Sequence, residues 1–390
     1  MSNWMITYNE IKDSGDQKQI DFIDNINRDK NNHWLQGLAG SGKSVVLVHS
    51  LVEIITQNPN AQVCIVVFTK SLIEMFKTGL KELQIHGNIS LMTYQQFIKN
   101  NQQYDYIFCD EVQDLPPSVL VNMKGRAKVQ LIVAGDSNQS IYDKAPGTHE
   151  AVVSVSEIGK VTNSQAYELS TIHRLTKSII NAVSKLIPGL NIFSAKKNRT
   201  KRDINIRLAK GKDKIQECQY ILGEAETALE NDQNVVVLLP YHNTIIEFIN
   251  NLLVSKNIAP WEIEENKWGK PDFGRLNYYL KVNNVNIEYI GNGYGDLFSA
   301  NSKKIIVMTY HSSKGLDFDN VFLPFVSADT FNSYFTETLF MVGMTRSKNN
   351  LYLTYSDHMH RYVKSFADEC ILIDIDETQN SSVKEPDFDF

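Results

Sequence analysis

The stretch "GLAGSGKS", residues 37–44, decides the fold of this chain. It fits the phosphate-binding pattern G-x-x-x-x-G-K-[ST], in which glycines let successive backbone N–H groups point toward phosphate oxygens at the start of a helix. A short strand-like segment, "HWLQ" (33–36), precedes it, and a helix-like segment, "SVVLVHSLVEII" (44–55), follows it. This setting favours a nucleotide-binding loop over the alternative, a glycine-rich turn with an incidental lysine.

The loop predicts a site for ATP and Mg²⁺. Lys43 is expected to neutralise the β- and γ-phosphates, and the Ser44 hydroxyl is expected to bind the metal. Gly40, Ser41 and Gly42 complete the predicted cradle through their backbone N–H groups.

Length and composition indicate a globular protein with room for two ordinary domains in its 390 residues. The net charge of −6 excludes a globally basic nucleic-acid binder, so a strand-binding surface would be a local groove. The 4 cysteines form no CxxC pair, which argues against zinc and iron–sulfur sites and for a reducing compartment. We see no secretory signal and no apolar run long enough to cross a bilayer, and therefore expect a cytoplasmic protein without membrane contact.

Uniformly apolar segments alternate with amphipathic ones in both halves of the chain, which predicts parallel sheets covered by helices. The strand-like segments are residues 62–68, 104–110 and 129–136 in the first half and 234–240, 303–310, 320–326 and 350–356 in the second. We therefore predict two similar α/β domains, residues 1–168 and 169–375. An aromatic-rich insert at about 256–300 interrupts the second domain, and residues 376–390 read as an acidic, disordered tail.

The segment "IFCDEVQDLPP" (107–117) places acids directly behind a predicted strand. Beside a phosphate loop, a carboxylate at the end of a neighbouring strand is suited to the metal shell. Asp110 is thus the candidate for Mg²⁺, and Glu111 is the candidate for orienting or deprotonating the attacking water. Read without the phosphate loop, the same acids would be a solvated loop.

The phosphate loop and "DEVQD" (110–114) together resemble the UvrD/Rep-like helicases of superfamily 1, whose second motif reads DExQD. Further segments resemble motifs of that family and follow in its order: "VFTKSL" (67–72), "MTYQQF" (92–97), "GDSNQSIY" (135–142), "LSTIHRLTKSIINA" (169–182), "VVVLLPYHNTIIEFI" (235–249), "MTYHSSKGLDFDNVFL" (308–323) and "FMVGMTRSKNNLYLTYS" (340–356). The resemblance covers about residues 14 to 356. It implies two RecA-like P-loop NTPase domains, each a mainly parallel sheet flanked by helices, with ATP in the cleft between them.

The resemblance also implies contacts to the nucleoside part of ATP. Gln19 would read the adenine edge, with Gln17 as the alternative register. His173 stands where the family has a tyrosine that stacks on adenine. Asp317 stands where the family has a glutamate that contacts the ribose, although a solvated turn acid is the alternative.

Three further residues are implied to act on the phosphates. Gln139 would sense the γ-phosphate and couple it to the strand site. Arg174 and Arg346 would reach in from the second domain as arginine fingers, since a permanently charged planar donor can stabilise the charge that hydrolysis develops. The alternative for each arginine is a surface ion pair.

The same motifs imply contacts to a nucleic-acid strand, made by hydroxyls on phosphates and aromatic faces under bases. The residues at matching positions are Phe68, Thr69, Tyr94, Tyr142, Thr309 and His311. Without the motifs, aromatic residues at such positions are core residues more often than ligand contacts. The chain departs from the family at Lys144 and Ala145, which replace a base-stacking tryptophan and an arginine.

Our leading functional prediction is an ATP-dependent translocase or helicase that moves 3′–5′ on single-stranded DNA or on a tailed duplex, as a monomer or weak oligomer. The alternative is a nucleic-acid-stimulated ATPase switch that regulates a partner protein, such as a nuclease, with little unwinding. The small size and the missing tryptophan favour that alternative. An inactive binding module is opposed by the intact Lys43, Asp110, Glu111 and Arg346. We expect the insert to be a small packed subdomain with its own aromatic core; the alternatives are that it grips duplex or binds a protein partner, and the acidic tail is a second candidate site for such a partner.

Overall fold

Two parallel β-sheets organise the chain in the computed structural model. The structure describes residues 16–136, 140, 142–145, 149–190, 196–197, 203, 206–297, 303–332 and 335–376. Met1–Leu175 and Leu190–Lys201 belong to one compact unit, and Thr176–Gly189 and Arg202–Phe390 belong to a second. We call these the first and the second unit.

In the first unit, short buried strands alternate with amphipathic helices. The helices are α1 (Gln17–Asn25), α2 (Lys43–Gln57), α3 (Lys70–Glu82), α4 (Tyr94–Lys99), α5 (Pro117–Arg126) and α6 (Val155–Thr162). The strands are β1 (Asn32–Gly37), β2 (Gln62–Val67), β3 (Asn88–Thr93), β4 (Tyr104–Cys109), β5 (Ala127–Gly135), β6 (Ser164–Leu169) and the short pair β7 (Thr171–Ile172) and β8 (Lys196–Lys197).

The main sheet of the first unit has the order β3-β2-β4-β5-β1-β6, and every neighbouring pair in it is parallel. Strand β2 is buried from Val63 to Val67, as expected for a strand with helices on both faces. Because the strands are parallel, their carboxyl ends lie at one edge of the sheet. The phosphate loop follows β1 and the acidic segment follows β4, so this edge carries the predicted chemistry.

The second unit repeats the alternation. Its helices are α7 (Lys177–Leu186), α8 (Lys214–Glu230), α9 (His242–Ser255), α10 (Phe273–Val282), α11 (Glu337–Met344) and the short α12 (Arg361–Lys364). Its strands are β9 (Ile206–Lys210), β10 (Val235–Leu239), β11 (Ile287–Tyr289), β12 (Ile305–Thr309), β13 (Phe318–Leu323), β14 (Ser347–Tyr355) and β15 (Cys370–Asp374).

These strands form one parallel sheet with the order β11-β12-β10-β13-β14-β9-β15. The α/β class with two parallel sheets is thereby confirmed, and the strand-like segments quoted from the sequence all fall on strands. Among the described helices, none is long and apolar enough to cross a bilayer.

The aromatic-rich insert belongs to the second sheet and its core in its described part. Strand β11 extends the sheet at the β12 edge, with Ile287 opposite Ile305. Trp261, Phe273 and Tyr289 are buried in the same hydrophobic cluster as β10, α9 and β12. The insert is therefore not a subdomain with a separate aromatic core, because its rings complete a face of the sheet. Residues 377–390 of the predicted tail lie outside the described residues.

Candidate active site

The phosphate loop connects β1 to α2 with two glycines in the left-handed region. Gly40 has φ +79° and Gly42 has φ +85°, conformations that a residue with a Cβ rarely adopts. A Cβ on Gly40 would also lie 2.8 Å from the Cβ of Arg174. The Lys43 ammonium donates to the carbonyls of Gly37 (2.8 Å) and Leu38 (3.2 Å), which holds it inside the loop.

Ser44 and Asp110 meet at the carboxyl edge of the sheet. The Ser44 hydroxyl donates to Oδ2 of Asp110 over 2.6 Å. Burial, reinforced by the neighbouring Glu111 charge, raises the pKa of Asp110 to about 6, although the Ser44 hydrogen bond and the Lys43 charge oppose the shift. One hydroxyl and one carboxylate in contact are the oxygen donors that Mg²⁺ prefers, so these residues fit the predicted metal. The Ser41 hydroxyl, buried in the same loop, has no hydrogen-bond partner among the described residues.

Glu111 is held in place by Gln113, which sequence reasoning left without a defined role. The backbone of Glu111 is left-handed, with φ 56°, and its N–H donates to Oδ1 of Asp110 over 2.9 Å. The Gln113 amide donates to Oε2 of Glu111 over 2.6 Å, and its Oε1 accepts from the N–H of Asp136 over 3.1 Å. Gln113 is fully buried, so it ties the Glu111 carboxylate to the end of β5.

On another side of the loop, Gln19 is buried and donates from Nε2 to the carbonyl of Ser41 over 2.8 Å. Gln17, the alternative register, is exposed and donates to Asp21 on the helix surface. His173 contacts the loop too, because its N–H donates to the carbonyl of Gly40 over 2.9 Å. The structure thus brings Gln19 and His173 to the same loop.

Arg174, which we expected on the second domain, belongs to the first unit. Its N–H donates to the same Gly40 carbonyl over 3.2 Å. Gln139 lies outside the described residues.

In the second unit, Arg346 and Asp317 lie in adjacent turns. The buried Arg346 donates from Nε to the carbonyl of Val342, from Nη1 to that of Leu316 (both 3.0 Å), and from Nη2 to Oγ1 of Thr345. The Arg346 carbonyl accepts from the N–H of Phe318, so both neighbours of Asp317 are bonded to Arg346. The carboxylate of Asp317 lies 3.6 Å from the ammonium of Lys348.

Three of the predicted strand-contacting residues form a stack in the first unit. The Phe68 ring lies between those of Tyr94 and Tyr142, with centroid distances of 5.5 and 5.2 Å. Tyr94 is fully buried, whereas Phe68 and Tyr142 are half-buried. Thr69 caps α3 by accepting from the N–H of Leu72. Of the two rings that stack on Phe68, Tyr142 is therefore the more exposed.

The other two predicted strand contacts follow β12 in the second unit. The Thr309 hydroxyl pairs with that of Ser312 over 2.9 Å. Burial, with the nearby charges of Lys314 and His242, lowers the pKa of His311. A neutral imidazole beside a lysine can accept as well as donate a hydrogen bond.

Sequence reasoning missed an aromatic cavity at the carboxyl edge of the second sheet. The segments after β13 and β14 enclose about 370 Å³ between Phe331, His360 and Tyr362, with Arg361 at the rim. Phe331 packs edge-on against His360 at 4.8 Å. The aromatic residues of "FNSYF" (331–335) were the available signal in the sequence.

Two sequence families match the chain. The UvrD-like helicase C-terminal domain matches residues 282–358, and an AAA domain matches residues 21–145. The match at residues 282–358 supports the resemblance to UvrD-like helicases of superfamily 1. The two domain matches support a nucleic-acid helicase or translocase in general. No curated protein matches its sequence.

Several solved helicase structures resemble this chain. An arterivirus nonstructural protein 10 helicase is 14% identical, with a TM-score of 0.43, over 90% of this chain and 64% of that one. A structure of this helicase in complex with DNA is 15% identical, with a TM-score of 0.44, over 90% of this chain and 65% of that one. The C-terminal domain of a possible DNA helicase from Lactobacillus is 11% identical, with a TM-score of 0.35, over 51% of this chain and 98% of that domain. The chain thus spans about two thirds or less of the viral helicases' length.

Proposed function

We propose that this chain hydrolyses ATP and uses the energy to move 3′–5′ along single-stranded DNA, unwinding tailed duplexes. The observation that carries the proposal is the contact between Ser44 and Asp110 beside Lys43, with Glu111 held next to them by Gln113. The family assignment supports nucleic acid as the track. We assign the protein to the cytoplasm on its cysteine usage.

The residues of the first unit have separable tasks in this proposal. Lys43 binds phosphate oxygens with a cation that its own loop already orients. Ser44 and Asp110 would hold Mg²⁺, which when bound neutralises phosphate charge. Glu111 orients the attacking water and takes its proton, and its carboxylate can do so reproducibly because Gln113 fixes it.

Arg346 is proposed to stabilise the charge that develops on the phosphates. Its guanidinium is buried and bonded to two backbone carbonyls and a hydroxyl, which keeps its fork geometry fixed. A planar donor that is always charged suits this task better than an ammonium. We propose the same class of role for Arg174 and Gln139, and ribose contact for Asp317.

The strand contacts are proposed to be the stack that ends at Tyr142 in the first unit and Thr309 and His311 in the second. Tyr142 is proposed as a base contact because its ring is half-buried and is held by stacking on Phe68. Hydroxyl and imidazole groups after β12 suit phosphate oxygens.

A second candidate function is an ATPase switch that senses nucleic acid and regulates a partner protein. The observation that favours it is the backbone after Tyr142, where Lys144 bridges to Ala151 and Ala145 is buried. Neither of these two residues has an aromatic ring, so this segment lacks the tryptophan on which the resembled family stacks a base. The described face of the insert offers the exposed Trp268 and Tyr278 to a protein partner.

The deciding experiment measures ATP turnover of the purified protein alone, with single-stranded DNA and with single-stranded RNA. Duplexes with a 3′ or a 5′ single-stranded tail then test unwinding. Stimulation by DNA together with unwinding of the 3′-tailed duplex alone supports the motor. Stimulation without unwinding on either substrate favours the switch. Absence of turnover under all conditions would overturn both.

A further inference from the structure

Asp16 joins two segments that contact the phosphate loop, those of Gln19 and His173, yet the sequence motifs assign it no role. Its Oδ1 accepts from the N–H of Gln19 at 3.4 Å, which caps α1. Its Oδ2 lies 2.7 Å from Nε2 of the His173 imidazole. The Asp16 side chain is 5% exposed, so both contacts are made out of solvent.

These bonds belong to a closed hydrogen-bond network, here called the circuit, that links Asp16, Gln19 and His173 to the phosphate loop. From Asp16, one arm runs through Gln19, whose amide donates to the Ser41 carbonyl over 2.8 Å. The other arm runs through His173, whose N–H donates to the Gly40 carbonyl over 2.9 Å. Two consecutive loop residues are therefore fixed to one carboxylate, which is 157 residues away from His173 in sequence.

The Asp16 carboxylate is kept charged in this buried position. Burial opposes its ionisation, but the hydrogen bond and charge of His173, with smaller contributions from Gln19 and Thr171, hold the pKa of Asp16 below its usual value. A buried charge that has lost its partner is strongly unfavourable. The pair therefore fixes the imidazole in one orientation instead of letting it rotate.

We propose that Asp16 is a positioning residue for the nucleobase: it fixes Gln19 and His173 against the phosphate loop, and thereby gives the site its preference for a purine. The inference rests on the proposed ATP site. Lys43, Ser44, Asp110 and Glu111 are not members of the circuit, so Asp16 acts on nucleotide affinity and base preference and not on the chemical step.

Two variants separate this role from helix capping. Asp16→Ser keeps a good N-cap residue but removes the charge and is too short to replace the contact with His173. Asp16→Asn keeps both the cap and an acceptor for the imidazole N–H. The matched control is Asp24→Ser, an exposed aspartate on the same helix.

The experiment titrates each full-length protein with ribose-labelled fluorescent ATP and CTP and, separately, measures the KM and kcat of ATP turnover. For Asp16→Ser we expect the ATP affinity and the ATP-over-CTP affinity ratio to fall about tenfold, the loss of one stacking contact. KM should rise about tenfold in parallel, and kcat should stay within about twofold. Asp16→Asn should recover most of the ratio, and Asp24→Ser should match the wild type.

The ratio of ATP to CTP affinity tests the positioning role of Asp16, and ATP turnover tests the proposed ATPase activity. An affinity ratio that is unchanged in Asp16→Ser, or a wild type without preference for ATP over CTP, would overturn the positioning role. A wild type that prefers ATP and loses that preference in Asp16→Ser, but turns over no ATP, would support the positioning role while overturning the proposed function.

Discussion

The carboxyl edges of the two sheets use their polar groups differently. In the first unit, the Ser44 hydroxyl is bonded to the Asp110 carboxylate and the Glu111 carboxylate to Gln113, so side chains fix one another. In the second unit, Arg346 is bonded mainly to backbone carbonyls, and a buried glutamate, Glu217, accepts from the N–H of Phe325. The first edge arranges side chains for chemistry, whereas the second uses charged side chains to hold its own backbone.

This difference separates two kinds of mutational effect. A substitution at the first edge removes a side chain that contributes little to packing, so turnover should fall while stability persists. A substitution at the second edge leaves buried backbone groups without partners, so stability should fall too. We therefore compare variants at both edges by their ATP turnover and their free energy of unfolding, which tests whether the two edges differ in this way.

The largest effect is expected for Lys43→Ala at the first edge. Removing the ammonium leaves the phosphates without their principal cation, so ATP turnover should fall by about 10³-fold or more. The Gly37 and Leu38 carbonyls lose a donor within the loop, so we expect a small fall in the melting temperature beside the loss of turnover. Turnover assays and thermal unfolding measure the two effects, with the exposed Lys124→Ala as the matched control. Unchanged turnover would refute the phosphate-loop assignment.

Arg346→Ala should affect both turnover and stability. We expect hydrolysis to fall about 100-fold while nucleotide binding is retained, since the arginine acts on developing charge. The Leu316 carbonyl loses the Arg346 donor and the Val342 carbonyl keeps only the Thr345 hydroxyl, which should lower the free energy of unfolding by about 1–3 kcal/mol. Single-turnover hydrolysis, nucleotide titration and urea unfolding measure the three quantities.

The control for Arg346→Ala is Arg275→Ala, which removes an exposed arginine of the same unit that pairs with Glu264. It should be nearly neutral. Normal hydrolysis in Arg346→Ala would exclude the proposed role of the arginine. Lost hydrolysis without destabilisation would instead show that its backbone bonds contribute little, and the contrast between the two edges would weaken.

The sequence predicted the strands and the phosphate loop well because both are local patterns. The run "QVCIVVF" becomes β2 at Gln62–Val67, and "YDYIFCD" becomes β4 at Tyr104–Cys109. A uniformly apolar run between helix-like segments has few other ways to bury itself. The phosphate loop needs particular residues in consecutive positions, which a sequence shows directly.

Contacts between distant segments could not be read in this way. Nothing local in the sequence indicates that Asp16 pairs with His173, or that Arg346 bonds the carbonyl of Leu316. The aromatic residues of the insert show the same limit. Their sequence is compatible both with a separate core of the insert and with packing against the second sheet. Its burial in one cluster with side chains of β10 and β12 is what places Trp261 in the core of the second sheet.

The shared core predicts opposite results for two tryptophans of the insert. Trp261 is 3% exposed, and its backbone is bonded to the Asn250 side chain, whereas Trp268 is 69% exposed. Trp261→Ala should lower the free energy of unfolding of the second unit by about 3 kcal/mol. Trp268→Ala should change it by less than about 0.5 kcal/mol. Urea unfolding followed by circular dichroism measures both, and equal small effects would show that the insert is not part of the core.

The smallest expected effect is the pH dependence of stability that Glu217 causes at the second edge. Glu217 is buried, and its Oε2 accepts from the Phe325 N–H and from the Thr354 hydroxyl. Burial raises the pKa of Glu217 above its ordinary value of 4.5, although the hydrogen bonds of Thr354, Ser356 and Phe325 oppose the shift. Between 4.5 and the raised pKa the folded state binds a proton that the unfolded state has lost, so stability must decrease as the pH rises through that interval.

Glu217→Gln removes this dependence without removing the acceptor oxygen. The variant should match the wild type below pH 4.5, where the glutamate is protonated in both states, and should be the more stable of the two at pH 7 to 8, where only the wild type buries a charge. Urea unfolding at a series of pH values measures the difference. A difference that does not change with pH would mean that Glu217 is not titrating in this range. Glu217→Ala should instead be destabilised at every pH, because the N–H of Phe325, a residue held at φ +60°, loses its acceptor. That pairing would show that the second edge uses a buried carboxylate to hold a residue with positive φ, as Asp110 does for Glu111 at the first edge.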